Sequence, residues 1–312
     1  MEIKLRLGGV LFLFCMESEL EINPELANFA EQTEEKEEIK VTVSKKWEEV
    51  IFPQTVMSGE DALLKYYSEG NIKFCLAKGG SKGELACTCY TPDFRKVLCT
   101  LNDTPFLFPV RKLGSVLRML PMREIFLYFH SLFLHASQIS YNKRGILFTG
   151  PSGAGKSTQA KLWKKYRKAE IVCNDRTILR RKDGVWHTYG YPLDGSEPVC
   201  SNAVNRLGCI VVLEQETRNK VRKLQPGKAV SRLMGQTVMD CWNGAAREEA
   251  MNLIIELLRD IPVYLLGCTP DEQAVNALET ELAEEGVIVH GESLGSALEK
   301  GGDNAFAADG SL

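Results

Sequence analysis

The stretch Gly145-Ile146-Leu147-Phe148-Thr149-Gly150-Pro151-Ser152-Gly153-Ala154-Gly155-Lys156-Ser157-Thr158 decides how this chain is read. From Gly150 to Ser157 it carries glycine, four residues, then Gly-Lys-Ser, the spacing of a phosphate-binding loop. An apolar run, Gly145 to Thr149, leads into the loop as a strand. Ala160, Leu162, Trp163 and Tyr166 leave it at helical spacing. Strand, glycine loop and helix is the setting the motif needs. Glycines let backbone N–H groups turn inward around a polyphosphate, and the helix N-terminus adds a favourable dipole. Lys156 then reaches the β/γ-phosphates and Ser157 offers a hydroxyl to Mg²⁺. Gly150 to Thr158 is therefore the expected nucleoside triphosphate site.

The next apolar segment, Glu170-Ile171-Val172-Cys173, ends in Asn174-Asp175-Arg176. From Ile146 to Asp175 is the size of a strand-helix-strand crossover. Such a unit puts its two strands parallel, with their C-terminal ends on one edge of the sheet. Asp175 is then expected beside the γ-phosphate, where a carboxylate can bind Mg²⁺ or take a proton from an attacking hydroxyl. An Asx turn at a strand end is the plainer role for the same residue. Upstream, Leu134 to Ser140 reads as a strand joined to Gly145–Thr149 by the polar turn Tyr141 to Arg144, an antiparallel hairpin. Pairing Ser140 with Gly145 and counting back sets His135 opposite Gly150, within a residue or two. An imidazole there is either structural or a general acid/base.

The rest of the chain supplies the frame. Its 312 residues suggest about two domains. With 44% hydrophobic and 25% charged residues the composition is that of a soluble globular protein, and a net charge of −3 carries no nucleic-acid footprint. The ten cysteines lack metal-site spacing and read as reduced thiols of a cytoplasmic protein. The apolar run Gly9 to Met16 is too short to span a bilayer and lacks a cleavage site, so it reads as a buried strand. Residues 1–110 show alternating strands at Glu2–Leu7, Ile39–Val43 and Ile72–Ala77 and form a smaller β-rich domain without a catalytic constellation. The acidic run Glu31–Glu38 is a solvated loop or helix face. Residues 111–133 are a helical connection broken at Pro121.

Thr177–Arg181 and Val185–Tyr189 form a hairpin. The loop that follows offers Asp194, Ser196 and Glu197 for metal or substrate contacts. Gly208–Glu214 is a buried central strand. Lys228 and Arg232, on a helical segment beginning at Pro226, can neutralise phosphate or simply face solvent. Ala245–Arg259 is an amphipathic helix and Pro262–Leu266 a strand. Thr269-Pro270-Asp271-Glu272 opens a capped helix running to Glu285. Residues 291–312 have the composition of a disordered tail.

Transporter ATPases share the loop string but need a Leu-Ser-Gly-Gly-Gln signature and a strand ending in Asp-Glu, both missing here. Adenylate kinases carry their loop near the N-terminus. Residues 130–285 instead resemble the catalytic domain of the HPr serine kinase/phosphorylase family, a P-loop fold related to ATP-dependent phosphoenolpyruvate carboxykinase. The resemblance rests on Leu134-His135 before the loop, the loop itself, and Asn174-Asp175 after it. It implies an α/β catalytic domain over residues 134–290 and an ATP- and Mg²⁺-dependent kinase. The implied acceptor is a hydroxyl, that of a serine, in a protein, peptide or free amino acid. By that resemblance Asp175 is the base, His135 lies beside it, Lys156 holds phosphate, and Ser157 and Asp175, with Glu197 as a further candidate, bind metal. Asn174 departs from the family's paired acids and speaks against the reverse, phosphorylase direction. Self-association is implied too. A nucleotide-binding switch with weak hydrolysis is the alternative from another functional class.

Overall fold

The computed structural model describes residues 1–17, 19–104, 110–193 and 199–288. Asp194, Ser196 and Glu197, and the tail from residue 291, lie outside the described residues. Two eight-stranded sheets carry an α/β architecture.

The first sheet is built from β1 (Glu2–Leu7), β2 (Val10–Met16), β3 (Ile39–Ser44), β4 (Gly59–Glu60), β5 (Leu64–Glu69), β6 (Ile72–Lys78), β7 (Glu84–Tyr90) and β8 (Lys96–Leu101), with the short helix α1 (Pro24–Ala27) between β2 and β3. Their order is β1-β2-β3-β8-β7-β6-β5-β4. The run Val10–Met16 is indeed a strand, parallel to β3, which is parallel to β8 in turn. The acidic run is a loop tied down by charge: Glu31 and Glu35 accept from Arg6, and Glu38 accepts from the Leu11 amide.

Helices α2 (Leu113–Arg118) and α3 (Met122–Tyr128) flank Pro121, as the sequence pattern indicated. Strand β9 begins at Ser131, three residues before the expected start, and runs to Tyr141. The second sheet continues with β10 (Arg144–Thr149), helix α4 (Lys156–Arg167), β11 (Glu170–Cys173), β12 (Arg176–Lys182), β13 (Val185–Gly190), β14 (Val204–Gln215) and β15 (Lys220–Lys223). Helices α5 (Pro226–Met234) and α6 (Gly244–Asp260), β16 (Val263–Cys268) and α7 (Glu272–Glu284) complete it.

The β9–β10 turn is tighter than expected. Asn142 and Lys143 alone bridge the strands, with φ of 49° and 60°, the two left-handed positions of a type I′ hairpin. That turn fixes Gly145 opposite Ser140 and Thr149 opposite Ala136, the register counted from the sequence. The expected crossover is present, with a strand inside it. Strands β10 and β11 do point the same way, but they are not neighbours, because β9 lies between them and pairs antiparallel with both. Beyond β11 the opposite edge of β9 passes to β12, where Arg176 faces His135. Helix α7 also differs at its start. Asp271, not Thr269, is the N-cap, accepting from the Ala274 amide at 3.1 Å, while Thr269 Oγ1 donates to Asp271 at 2.7 Å.

Apolar side chains divide between the sheet's two faces. Ile139, Phe148, Trp163, Leu266 and Leu278 pack one side, where α4 and α7 lie. Leu134, Leu147, Ile210, Ile254 and Leu257 pack the other, with α5 and α6. The first sheet is not separate from the second: Phe133, Ile178, Tyr189 and Tyr191 belong to its core. Gly8, at φ 60°, is one point of close approach, since a Cβ there would stand 2.8 Å from Ile178. Among the described residues no helix is long and apolar enough to cross a membrane. All ten cysteines are free thiols.

Trp163 is fully buried and its ring centroid lies 5.2 Å from that of Tyr141, so it anchors α4 under the hairpin. Trp163→Ala is expected to cost about 3–5 kcal/mol, read as a shifted midpoint in urea denaturation. A shift below about 1 kcal/mol would contradict this packing.

Candidate functional site

Where β10 ends, the chain enters the glycine loop, and three glycines take conformations closed to other residues: Gly150 at φ 144°, Gly153 at 80° and Gly155 at 99°. Gly150 is also crowded, because a Cβ there would meet the Leu213 carbonyl oxygen at 3.1 Å. Gln215, at the end of β14, donates from Nε2 to the Gly153 carbonyl at 2.8 Å and steadies the loop from the neighbouring strand. Helix α4 starts at Lys156 with no side-chain cap and no acid in its first turn. Its leading N–H groups are therefore left to an anion. Pro151, Ser152, Gly153 and Thr158 are exposed, Gly155 and Ser157 half-buried, and Ala154 buried.

Lys156 is only 8% exposed and folds back over the loop. Its Nζ donates to the carbonyls of Gly150 at 2.9 Å and Pro151 at 3.1 Å. Burial lowers its pKa and the negative charge of Asp175 opposes that shift. The carboxylate and the ammonium thus act on each other.

His135 and Asp175 meet because β9 carries both neighbours. The Ala136 amide donates to the Asp175 carbonyl at 3.0 Å, and Ser137 Oγ to that of Asn174 at 2.8 Å, clamping the end of β11 against β9. On the other edge the His135 amide donates to the Gln236 carbonyl at 2.9 Å, and Thr149 Oγ1 to the His135 carbonyl at 2.9 Å. So fixed, His135 Nε2 stands 3.1 Å from Asp175 Oδ1. The hydrogen bond from His135 holds the Asp175 carboxyl below the usual carboxylate range; burial opposes this, and the charges of His135 and Arg176 add to it.

Arg176 escaped the sequence reading. In the sequence it is only the residue that follows Asp175, yet its Nε lies 3.4 Å from Asp175 Oδ2 and its guanidinium sits over the Phe133 ring at 5.6 Å. Its pairing with His135 across the sheet, which no local pattern announces, is what brings it there. Lys228 and Arg232 are not brought here: Lys228 is exposed on α5 and Arg232 pairs with Glu214.

Asn174 is 8% exposed, and both its amide oxygen and nitrogen are buried without a hydrogen-bond partner. Leaving such groups unpaired costs about 1–3 kcal/mol each, so a ligand or its water shell is expected to satisfy them. No group of three or more His, Cys, Asp or Glu side chains suited to a metal occurs among the described residues. Ser157, Asp175 and Asn174 instead suit an ion that keeps most of its ligands from phosphate and water, as Mg²⁺ does.

A family model described as SynChlorMet cassette protein ScmC matches residues 97–280, more than half of the chain. The chain belongs to that family, whose description names no reaction. No curated protein sequence matches it. Among solved structures it is similar to one described as the Hpr(Ser) kinase/phosphatase from Coxiella burnetii. That match has 12% identity over 49% of this chain and 97% of the other, with a TM-score of 0.31. A likeness that slight carries no argument, and the chemistry has to come from the side chains above.

A carboxyl whose pKa is depressed in the fold stabilises it fully above the unfolded value, and loses that contribution as pH falls through the folded value. Asp175 is therefore expected to titrate below about 3.9 in a carboxyl-carbon NMR titration, and His135→Ala to move its midpoint upward. An unchanged midpoint in the variant would break the assigned pair.

Proposed function

We propose that this chain is an ATP- and Mg²⁺-dependent phosphotransferase that uses a hydroxyl group, of the serine type, as acceptor. The observation that carries the reading is the His135–Asp175 pair at 3.1 Å, electrostatically linked to the buried loop lysine. A switch needs the loop alone. A carboxylate held by an imidazole at the loop's side is what hydroxyl activation requires.

The residues present fit the nucleotide. The uncapped start of α4 and the inward amides of Gly150–Ser157 would hold its phosphates, with Lys156 turning from the loop carbonyls to the charge. Ser157 and Asp175 would hold the metal, with Asn174 bonding its waters. Bound Mg²⁺-ATP supplies the transferable phosphoryl group and neutralises its charge. Asp175 takes the acceptor proton, and its Oδ1 is kept in place by His135 Nε2. Lys156 and the loop amides face the negative charge of the transferring group, where fixed donors act most strongly. The order His135, loop, Asp175 along the chain is the feature shared with the kinase family named above, and it supports the same reading. Asn174, in place of a second acid, supports transfer in the forward direction.

Asp175→Asn separates a transferase from a nucleotide switch. Phosphoryl transfer, followed with γ-labelled ATP, should fall about 10²–10⁴-fold, the contribution of a general base, while ATP is still bound through the loop amides and Lys156. Transfer at the wild-type rate would remove Asp175 as base. Nucleotide binding by the wild type without any transfer would favour the switch.

A further inference from the structure

Strand β11 ends at Cys173, two residues before Asp175, and the chain comes back to it beyond β13. The Ser201 amide donates to the Val172 carbonyl at 2.8 Å, in an isolated antiparallel bridge that sets Cys200 directly opposite Cys173. A bond from the residue after Cys200 to the residue before Cys173 makes this the non-hydrogen-bonded kind of pair, whose Cα atoms stand about 4.5 Å apart with their side chains close together. A disulfide spans roughly 4.4–6.8 Å between Cα atoms, so the backbone is already set for one. The Cys200 thiol is near enough to donate to Cys173 Sγ. Cys173 is 3% exposed and Cys200 half-buried, which opens the pair to small reagents from the Cys200 side.

We propose that Cys173 and Cys200 are an oxidisable pair, that a peroxide joins them as a disulfide, and that the joined form displaces Asp175. Three observations carry this. First, among the described strands no other two cysteines stand opposite each other in register. Cys87 and Cys89, with sulfurs 4.0 Å apart, lie two residues apart on β7; that is about 6.6 Å of extended chain, near the upper limit of the span. Second, the thiol of Cys173 is part of the structure around the base. Its Sγ donates to the Arg176 carbonyl at 2.8 Å and lies 3.7 Å from that of Tyr191. Asp175 sits inside the turn closed by the bond to Arg176. A disulfide sulfur has no proton to donate, so oxidation opens that turn. Third, Gly190 makes room for the Cys200 sulfur, since a Cβ there would stand 3.0 Å from it.

The oxidation runs in two steps. The Cys200 sulfur attacks an oxygen of hydrogen peroxide, the O–O bond breaks, and a sulfenic acid and one water result. The Cys173 sulfur then attacks the Cys200 sulfur. The S–S bond forms, the S–O bond breaks, and the departing hydroxide takes the Cys173 proton as a second water. The two thiols lose two electrons and the peroxide gains them. The disulfide stands on the geometry of the bridge; its effect on transfer rests on the phosphotransferase reading above.

The full chain is treated with hydrogen peroxide, blocked with an alkylating reagent and mapped by mass spectrometry without reduction. A peptide pair joined through Cys173 and Cys200 should be the main product, and dithiothreitol should reverse it. Transfer from γ-labelled ATP should fall about 10²-fold, the loss that a displacement of about 1 Å can cause, and return on reduction. The Asp175 carboxyl-carbon signal should move on oxidation, a readout that needs no activity. Cys200→Ser, with Cys200→Ala as a second variant, should keep the reduced chain's transfer rate and lose both the link and the peroxide effect. Peroxide products without a Cys173–Cys200 link would overturn the inference. So would a link that leaves the Asp175 signal or the transfer rate of an active chain unchanged, or a peroxide effect that persists in both Cys200 variants. A reduced wild type that transfers no phosphate, while the link forms and the Asp175 signal moves, would remove the phosphotransferase reading and leave the oxidisable pair.

Discussion

Strand β9 is bonded along both edges, to β10 on one side and to β11 and then β12 on the other. Everything at the site depends on that double pairing. On its own, the hairpin with β10 would deliver His135 to the mouth of the loop, and the crossover through α4 would deliver Asp175 to the same sheet edge. Only because β9 is the strand in common do the two side chains arrive within 3.1 Å of each other, with the loop lysine close enough for its charge to register Asp175. The clamps at Ala136, Ser137 and Thr149, one from a backbone amide and two from buried hydroxyls onto backbone carbonyls, build that arrangement into the sheet.

Much of this was legible in the sequence because its signals are local. Three glycines, a lysine and flanking apolar periodicity define the loop, and a short polar turn fixes a hairpin register that can be counted. The missing parts were non-local. Nothing in Gly145–Cys173 says that β9 inserts between the two strands of the crossover. In the first sheet, β5, β7 and β8 alternate too weakly to stand out, since Leu64–Glu69 and Lys96–Leu101 mix charged and apolar residues and are sorted only by their neighbours. Thr269 was a reasonable cap by residue type, but Asp271 competes for the same role and its carboxylate takes the Ala274 amide. Arg176 was visible as a residue and invisible as a partner, because its position depends on pairing with His135 across the sheet.

The first sheet gains a purpose from the way it meets the second. Its core runs without a break into Phe133, Ile178 and Tyr191, and Gly8 leaves space for Ile178 to approach. Such contact does more than hold two halves together. It closes a small cavity at the junction, lined by Tyr66, Arg118 and Arg123 from one side and by Phe133, Arg176 and Tyr191 from the other.

The central claim is that Gly150–Thr158 holds a nucleoside triphosphate through the loop amides and Lys156. Calorimetric titration of the full chain with Mg²⁺-ATP measures it most directly. The account predicts one saturable site per chain, with affinity reduced at least about tenfold in Lys156→Ala, the loss of a charge-assisted contact to phosphate. No heat of binding in the wild type, or an affinity indifferent to Lys156, would contradict it.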